Sequence, residues 1–182
     1  IFPIIQRPLH PQPKLVAGAI RIMIMKTLKI LGVLCVVLLL SSCKQDDWLD
    51  WKTQNELWLA ENAKRAGVIT TPTGLQYKCI YRPIPDNPEA RPDNAKMVDV
   101  TYTGKLINDY PFNSAESALL YVKDLVPGFT EGLKKMTTHD TYEFYIPYQL
   151  GYGKEGVGTE GTSSHIPPYS TLIFRVTLNG IR

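Results

Sequence analysis

Four stretches of this chain alternate apolar and polar residues with a period of two. In the first, Leu75, Tyr77, Cys79 and Tyr81 alternate with Gln76, Lys78 and Arg82. In the second, Val98, Val100 and Tyr102 alternate with Asp99, Thr101 and Thr103. Tyr142, Phe144 and Ile146 form the third, closed by Pro147, and Leu172, Phe174, Val176 and Leu178 form the last. A two-residue period places every second side chain on one face of a half-buried strand. Residues 105–123 are expected to hold two further strands, broken by a turn at Asn108-Asp109. Thr130 to Met136 suits one short helix, with Leu133 and Met136 facing inward. The segment Thr70-Thr71-Pro72-Thr73-Gly74 has turn chemistry, and residues 83–96, with Pro83, Pro85, Pro88 and Pro92, read as a surface loop. A second long loop spans 151–165, with five glycines. Many antiparallel-type strands around one short helix predict an α+β domain, a curved antiparallel sheet wrapped around that helix.

A further helix is expected ahead of the domain, over 47–66, where Trp48, Trp51, Trp58 and Leu59 fall near helical spacing. Asp46 or Asp47 suits its N-cap and Gly67 its C-terminal stop. All three tryptophans of the chain lie here. They either pack the helix onto the domain or present a dimer or partner surface.

The first 42 residues read as an address. Residues 30–40 are an apolar run after Met25-Lys26-Thr27-Leu28-Lys29, the layout of a secretory signal. The run is shorter than the roughly 20 residues that span a bilayer. It ends in Leu40-Ser41-Ser42-Cys43, which resembles the bacterial lipobox, whose cysteine is lipidated and opens the mature chain. The alternative is a plain membrane anchor with an incidental cysteine. Residues 1–24 are expected to be an over-extended leader, 25–42 a lipoprotein signal peptide, 43–69 a tether and N-terminal helix, and 70–182 the domain. The expected location is an exported, lipid-anchored one on a bacterial membrane, the outer membrane, facing either periplasm or surface. With Cys35 in the signal and Cys43 lipidated, Cys79 is left without an intramolecular disulfide partner.

The net charge of +3 comes from that leader, because Arg7, Lys14, Arg21, Lys26 and Lys29 meet no acid before residue 43. The remainder is near neutral, which removes the electrostatic case for nucleic acid. The three histidines are scattered, and no HExxH, paired CxxC, Walker loop or GxSxG occurs. Nothing in the sequence implies a cofactor or a metal. Ten tyrosines and five phenylalanines remain, a composition that suits a shallow apolar pocket with hydroxyl-tipped walls, or simply an aromatic core and surface.

Five ordered blocks resemble the FKBP-type peptidyl-prolyl isomerases. Val98-Asp-Val-Thr-Tyr102-Thr-Gly104-Lys-Leu106 is similar to the family's V-x-V-x-Y-x-G-x-L, and Phe112-Asn113-Ser114 to its F-D-S. Leu125-Val126-Pro127-Gly128-Phe129-Thr-Glu131-Gly132-Leu133 resembles V-I-P-G-W-x-E-G-L, and Ile146-Pro147-Tyr-Gln-Leu150-Gly-Tyr152-Gly153 resembles I-P-x-x-L-A-Y-G. Ile166-Pro167-Pro168-Tyr-Ser-Thr171-Leu172-Ile173-Phe174 resembles I-P-P-x-(A/S)-T-L-x-F. Upstream, residues 61–77 are similar to the opening segment of the exported, Mip-like branch.

This resemblance implies an FKBP-like fold and a pocket whose catalytic side chains are Tyr102, Phe112, Phe129, Tyr152 and Phe174. It implies substrate contacts from Asn113, Leu120, Leu125, Val126, His165 and Ile166, with the Val126 N–H and Tyr152 hydroxyl binding carbonyls. The implied substrates are proline-containing polypeptides. The chain departs from the family at Phe129, where tryptophan is usual, at Asn113, where aspartate is usual, and at Leu120, where phenylalanine is frequent. The loop 154–165 is also longer than in short members. Three functions stay open: an isomerase for exported proteins, a non-catalytic chaperone or peptide binder of the same fold, and a structural lipoprotein that engages a partner through its tryptophan helix.

Overall fold

The computed structural model describes residues 48–84 and 90–182. Helix α1 (Leu49–Asn62) is followed by strands β1 (Val68–Thr70), β2 (Gln76–Tyr81), β3 (Met97–Lys105) and β4 (Pro111–Tyr121), helix α2 (Pro127–Leu133), and strands β5 (Thr141–Ile146) and β6 (Leu172–Ile181). The six strands form one sheet in the order β1-β2-β5-β6-β3-β4, and every neighbouring pair is antiparallel.

Alternation decides what the sheet buries. Val98 and Val100 of β3, Phe144 and Ile146 of β5, and Leu172, Val176 and Leu178 of β6 are fully buried. Helix α2 lies on this face and adds Phe129 and Leu133 to the same core. Two glycines set how closely it lies. A Cβ at Gly132 would stand 2.7 Å from the Phe144 ring, and one at Gly128 would overlap Ile146 Cγ2. The helix therefore rests against β5 at backbone distance, an approach that only glycine permits.

Within the sheet and its short helix, three elements differ from the sequence expectation. The short helix starts at Pro127 rather than Thr130 and ends at Leu133. Proline suits a first helical position, because the N–H it lacks would have no helical partner there. Met136 is still fully buried, in the turn that follows. The two strands expected within 105–123 are one strand, β4, entered through the turn at Asn108-Asp109, where Asp109 has φ 64°. Two register shifts against β3 keep this long strand paired. Strand β1 was not foreseen: three residues are too few for a periodic signal, and Gly67 (φ +81°) introduces it.

Helix α1 is shorter than the expected 47–66. Trp48 holds its cap position with no side-chain cap bond, and Asp46 and Asp47 lie outside the described residues. Its buried residues are asparagines rather than tryptophans. Asn55 Oδ1 accepts the Thr171 N–H at 2.7 Å, and Asn62 Nδ2 donates to Gln76 Oε1 at 2.8 Å. The tryptophans lie around this polar seam: the Trp58 ring packs 5.8 Å from that of Tyr145, and Trp51 Nε1 donates to Ser170 Oγ at 3.0 Å.

A buried carboxylate ties the turn that follows α2 to the end of β2. Asp140 accepts the Thr137 N–H at 2.8 Å and Arg82 Nη2 at 3.0 Å. Arg82 also donates to the Tyr142 hydroxyl. Burial pushes that hydroxyl up to about 12, and the Arg82 charge opposes the rise.

Two variants test these contacts by denaturant titration. Gly132→Ala is expected to destabilise, because overpacking costs about 1–3 kcal/mol, whereas alanine returns at most about 1 kcal/mol of helix propensity. Asp140→Ala is expected to cost about 1–3 kcal/mol, the penalty for leaving the Thr137 N–H unpaired. Arg82 then turns to water, since it is already nearly half exposed.

Candidate active site

Four aromatic rings come together where β3, β4, β6 and α2 meet. Phe129 projects from α2 and Phe174 from the centre of the sheet, with ring centroids 5.0 Å apart at 89°. Tyr102 from β3 lies 6.2 Å from Phe129 and 6.0 Å from Phe174, edge-on to both. Phe112 from β4 stands 5.3 Å from Phe174 at 87°. Beneath the set, Phe144 supports Phe129 at 5.7 Å. Edge-to-face packing of this kind fixes each ring against its neighbour. Phe129 is 4% exposed and Phe174 7%, so both present little more than one surface to the outside.

Local backbone features aim these rings. The β3–β4 register shifts between Val100 and Tyr102 and again between Gly104 and Lys105. Such bulges bend a strand and redirect the side chains beside them. Gly104 lies opposite Phe174 in register, and a Cβ there would stand 2.8 Å from both the Phe112 and Phe174 rings. Its missing side chain is the space those rings occupy.

Above the rings is an open cavity of about 390 Å³. Val126 borders it at the N-cap of α2, with extended backbone (φ −57°, ψ 146°). Its carbonyl accepts the N–H groups of Phe129 and Thr130 at 3.0 and 3.1 Å, while its own N–H donates to no acceptor among the described residues. Tyr152 stands on the wall, 40% exposed, and its hydroxyl also has no partner among the described residues. Burial raises the pKa of that hydroxyl, and the nearby Tyr102 adds to the rise, so it remains a proton donor. Ile166 is held in place by two backbone bonds, Val157 N–H to its carbonyl at 2.9 Å and its own N–H to the Val157 carbonyl at 2.8 Å. Gly156 (φ +67°) makes the approach possible, because a Cβ there would run into the Ile166 carbonyl oxygen.

The structure brings Tyr102, Phe112, Asn113, Leu120, Leu125, Val126, Phe129, Tyr152, Ile166 and Phe174 to this one cavity. It does not bring His165, which borders a separate depression with Leu106, Asn108 and Pro167 and lies 6.5 Å from the Trp48 ring. The reason is the period of extended backbone: neighbouring side chains point to opposite faces, so an inward Ile166 turns His165 outward. Three lining residues were not foreseen. Asp124 ends the 3-10 turn before Leu125, and Val157 and Ser164 belong to the long glycine loop. Neither segment has a periodicity to show which side chains turn inward. Asp124 is the one charged side chain among the described residues on the wall, and Asn113, which lines the same cavity, is neutral. Cys43 lies outside the described residues.

Such a site has an apolar floor, close aromatic sides and two donors at its rim. It suits a compact apolar ring flanked by carbonyl groups, and it places no nucleophile–base pair against that ring.

Comparison with known proteins agrees with the geometry. A family model described as FKBP-type peptidyl-prolyl cis-trans isomerase matches residues 89–179, and one described as the domain amino terminal to it matches residues 43–79. The outer membrane protein MIP of Legionella longbeachae is 34% identical over 135 residues, 72% of this chain and 54% of that protein. The FKBP-type 22 kDa peptidyl-prolyl cis-trans isomerase of Escherichia coli is 40% identical over 125 residues, 66% and 56% of the two chains. This chain thus spans about half the length of the curated relatives it matches. Among solved structures, FkpA from Escherichia coli is similar with a TM-score of 0.68 and 28% identity, covering 93% of this chain and 81% of that one. A peptidyl-prolyl cis-trans isomerase from Pseudomonas syringae shares the fold, with a TM-score of 0.66 at 21% identity over 76% of this chain and 98% of that one. With its rings, its helix and its sheet order in place, the chain belongs to the FKBP-type peptidyl-prolyl cis-trans isomerase family.

Proposed function

We propose that this protein is a peptidyl-prolyl cis-trans isomerase acting on Xaa-Pro bonds of exported polypeptides. The observation that supports this most is the hollow above Phe129, edged by Tyr102, Phe112 and Phe174, with the Val126 N–H and Tyr152 hydroxyl at its rim and without partners among the described residues.

Rotation about a peptide bond is slow because resonance holds it planar, with a barrier of about 18–20 kcal/mol. Resonance also moves charge onto the carbonyl oxygen, where water stabilises it. A prolyl ring seated on Phe129 takes that amide out of water and so weakens the planar form. The rim donors bind the flanking carbonyls as the bond twists. A site that holds the twisted amide better than either planar isomer accelerates exchange in both directions. No proton need be moved for this, and each tenfold of rate corresponds to about 1.4 kcal/mol of such preference.

The proposed setting is the bacterial envelope. Residues 25–42 would act as signal peptide, and lipidated Cys43 would hold the tether and domain at the membrane. The apolar run, its basic flank and the Leu-Ser-Ser-Cys ending support this. So does the name of the Legionella longbeachae relative, an outer membrane protein. Metabolic labelling with palmitate checks it: the wild-type chain is expected to take up label and sediment with membranes, and Cys43→Ala to lose both properties.

A proline-isomerisation assay on short Xaa-Pro peptides tests the enzyme reading. The wild-type chain is expected to exceed the uncatalysed rate. Phe174→Ala is expected to lose at least about tenfold in kcat/KM, and Tyr152→Phe about three- to tenfold, the value of one net hydrogen bond. Circular dichroism at the assay temperature shows that the Phe174 variant is folded. A wild-type rate equal to the uncatalysed one rejects the proposal. The rate is also expected to stay flat up to about pH 9, because the raised Tyr152 hydroxyl keeps its proton beyond the ordinary tyrosine value of about 10.

A further inference from the structure

The tryptophan helix lies outside the cavity, yet its contacts converge on the segment that forms one of the cavity's walls. Residues 165–171 run from the depression holding His165, through the Ile166 wall, to the foot of β6. Trp51 Nε1 donates to Ser170 Oγ at 3.0 Å, and Ser170 Oγ donates onward to the Pro167 carbonyl at 2.7 Å. One turn along α1, the buried Asn55 accepts the Thr171 N–H at 2.7 Å. Lys52 Nζ lies 5.7 Å over the Tyr169 ring, and Trp48 meets His165 edge-on. Tyr169 in turn donates its N–H to the Gly153 carbonyl at 3.0 Å, beside Tyr152.

Apart from α1, the segment is held by the Val157–Ile166 pair, the Tyr169–Gly153 bond and the Tyr148 ring 5.2 Å from that of Tyr169. It contains two consecutive prolines, Pro167 and Pro168, which have no N–H to give. Tyr169 takes φ 60°, a left-handed conformation that non-glycine residues hold only where their surroundings enforce it. Ile166 itself is bonded on one side to Val157, which sits on the glycine loop. At the Ser170–Thr171 end, the side-chain partners come from α1.

We infer that α1 is a brace for the site, and that Trp51, through Ser170 and the Pro167 carbonyl, is a positioning residue for the Ile166 wall. The indole N–H fixes the Ser170 hydroxyl, the hydroxyl fixes the turn after Ile166, and the turn sets how far Ile166 reaches over the floor. This brace is separate from the far end of the same helix, where Asn62 bonds to Gln76 on β2.

That separation supplies the control. Trp51→Phe keeps a ring and removes the donor; Ser170→Ala removes the relay; Asn62→Ala loosens α1 at its other end. All are made in the full chain, with 13C-labelled isoleucine methyls. The Ile166 methyl resonance is expected to move in W51F and S170A and to stay in place in N62A. The activity arm rests on the isomerase reading. There W51F and S170A are each expected to lower kcat/KM about three- to tenfold, the double variant to be no worse than either, and N62A to lower thermal stability with kcat/KM unchanged. An Ile166 resonance that stays put in W51F and S170A overturns the inference, as does an N62A variant that reproduces their effects. Absence of wild-type catalysis rejects the isomerase reading instead, and the methyl resonance still decides the brace.

Discussion

Two glycines one helical turn apart let α2 rest its backbone against β5, and the geometry of the site follows from that contact. Gly128 and Gly132 face Ile146 and Phe144 with no side chain between. With α2 pressed this close, Phe129 leaves the helix at the level of the sheet's own aromatic residues and meets Phe144 and Phe174 edge-on. The same placement puts Val126, the residue just ahead of the helix, at the rim, with its N–H available. A larger residue at either glycine lifts the floor and the rim donor together. Stability and site geometry therefore share a single packing surface, in which close-packed interiors transmit any displacement directly.

The rings of the site are mutual supports. Phe174 touches Phe129, Tyr102 and Phe112, so no one of them can rotate without displacing another. Gly104 supplies the vacancy that allows this crowding. The rings are thus set before any peptide arrives, and binding need not order them. Where the proposed chemistry moves no proton, this preorganisation is the main resource available.

Much of this was legible in the sequence, wherever a physical period or a steric demand left a trace. The alternation at Val98–Tyr102, Tyr142–Ile146 and Leu172–Leu178 marked strands, and their inward residues are buried except Tyr102, which is half-buried at the cavity, while Tyr145 and Ile173 are buried on the opposite face. The ordered blocks around Tyr102, Phe129, Tyr152 and Phe174 pointed to side chains that meet in one cavity although they lie on different elements. What escaped had no such trace. His165 was assigned to the pocket with Ile166 because the two adjoin in sequence, but extended backbone sends them to opposite sides. Asp124, Val157 and Ser164 line the wall from a 3-10 turn and a glycine-rich loop, where direction is set by tertiary contacts. The tryptophans of α1 pack the helix onto the domain, the first of the two roles open to them, through Ser170 and Tyr145; what left no trace is the buried pair Asn55 and Asn62 beside them, because an amide's burial is set by partners distant in sequence.

The pair of bonds between Val157 and Ile166 closes residues 158–165 off as a separate lobe. Its two feet, Val157 and Ile166, are fastened to each other at the cavity wall, and Ser164 lines that wall from within the lobe. Closure entropy changes little with lobe size, about 0.6 kcal/mol for each doubling. The lobe can thus change length at little cost, like an interchangeable visor over the hollow, while the rings of the floor keep their own supports.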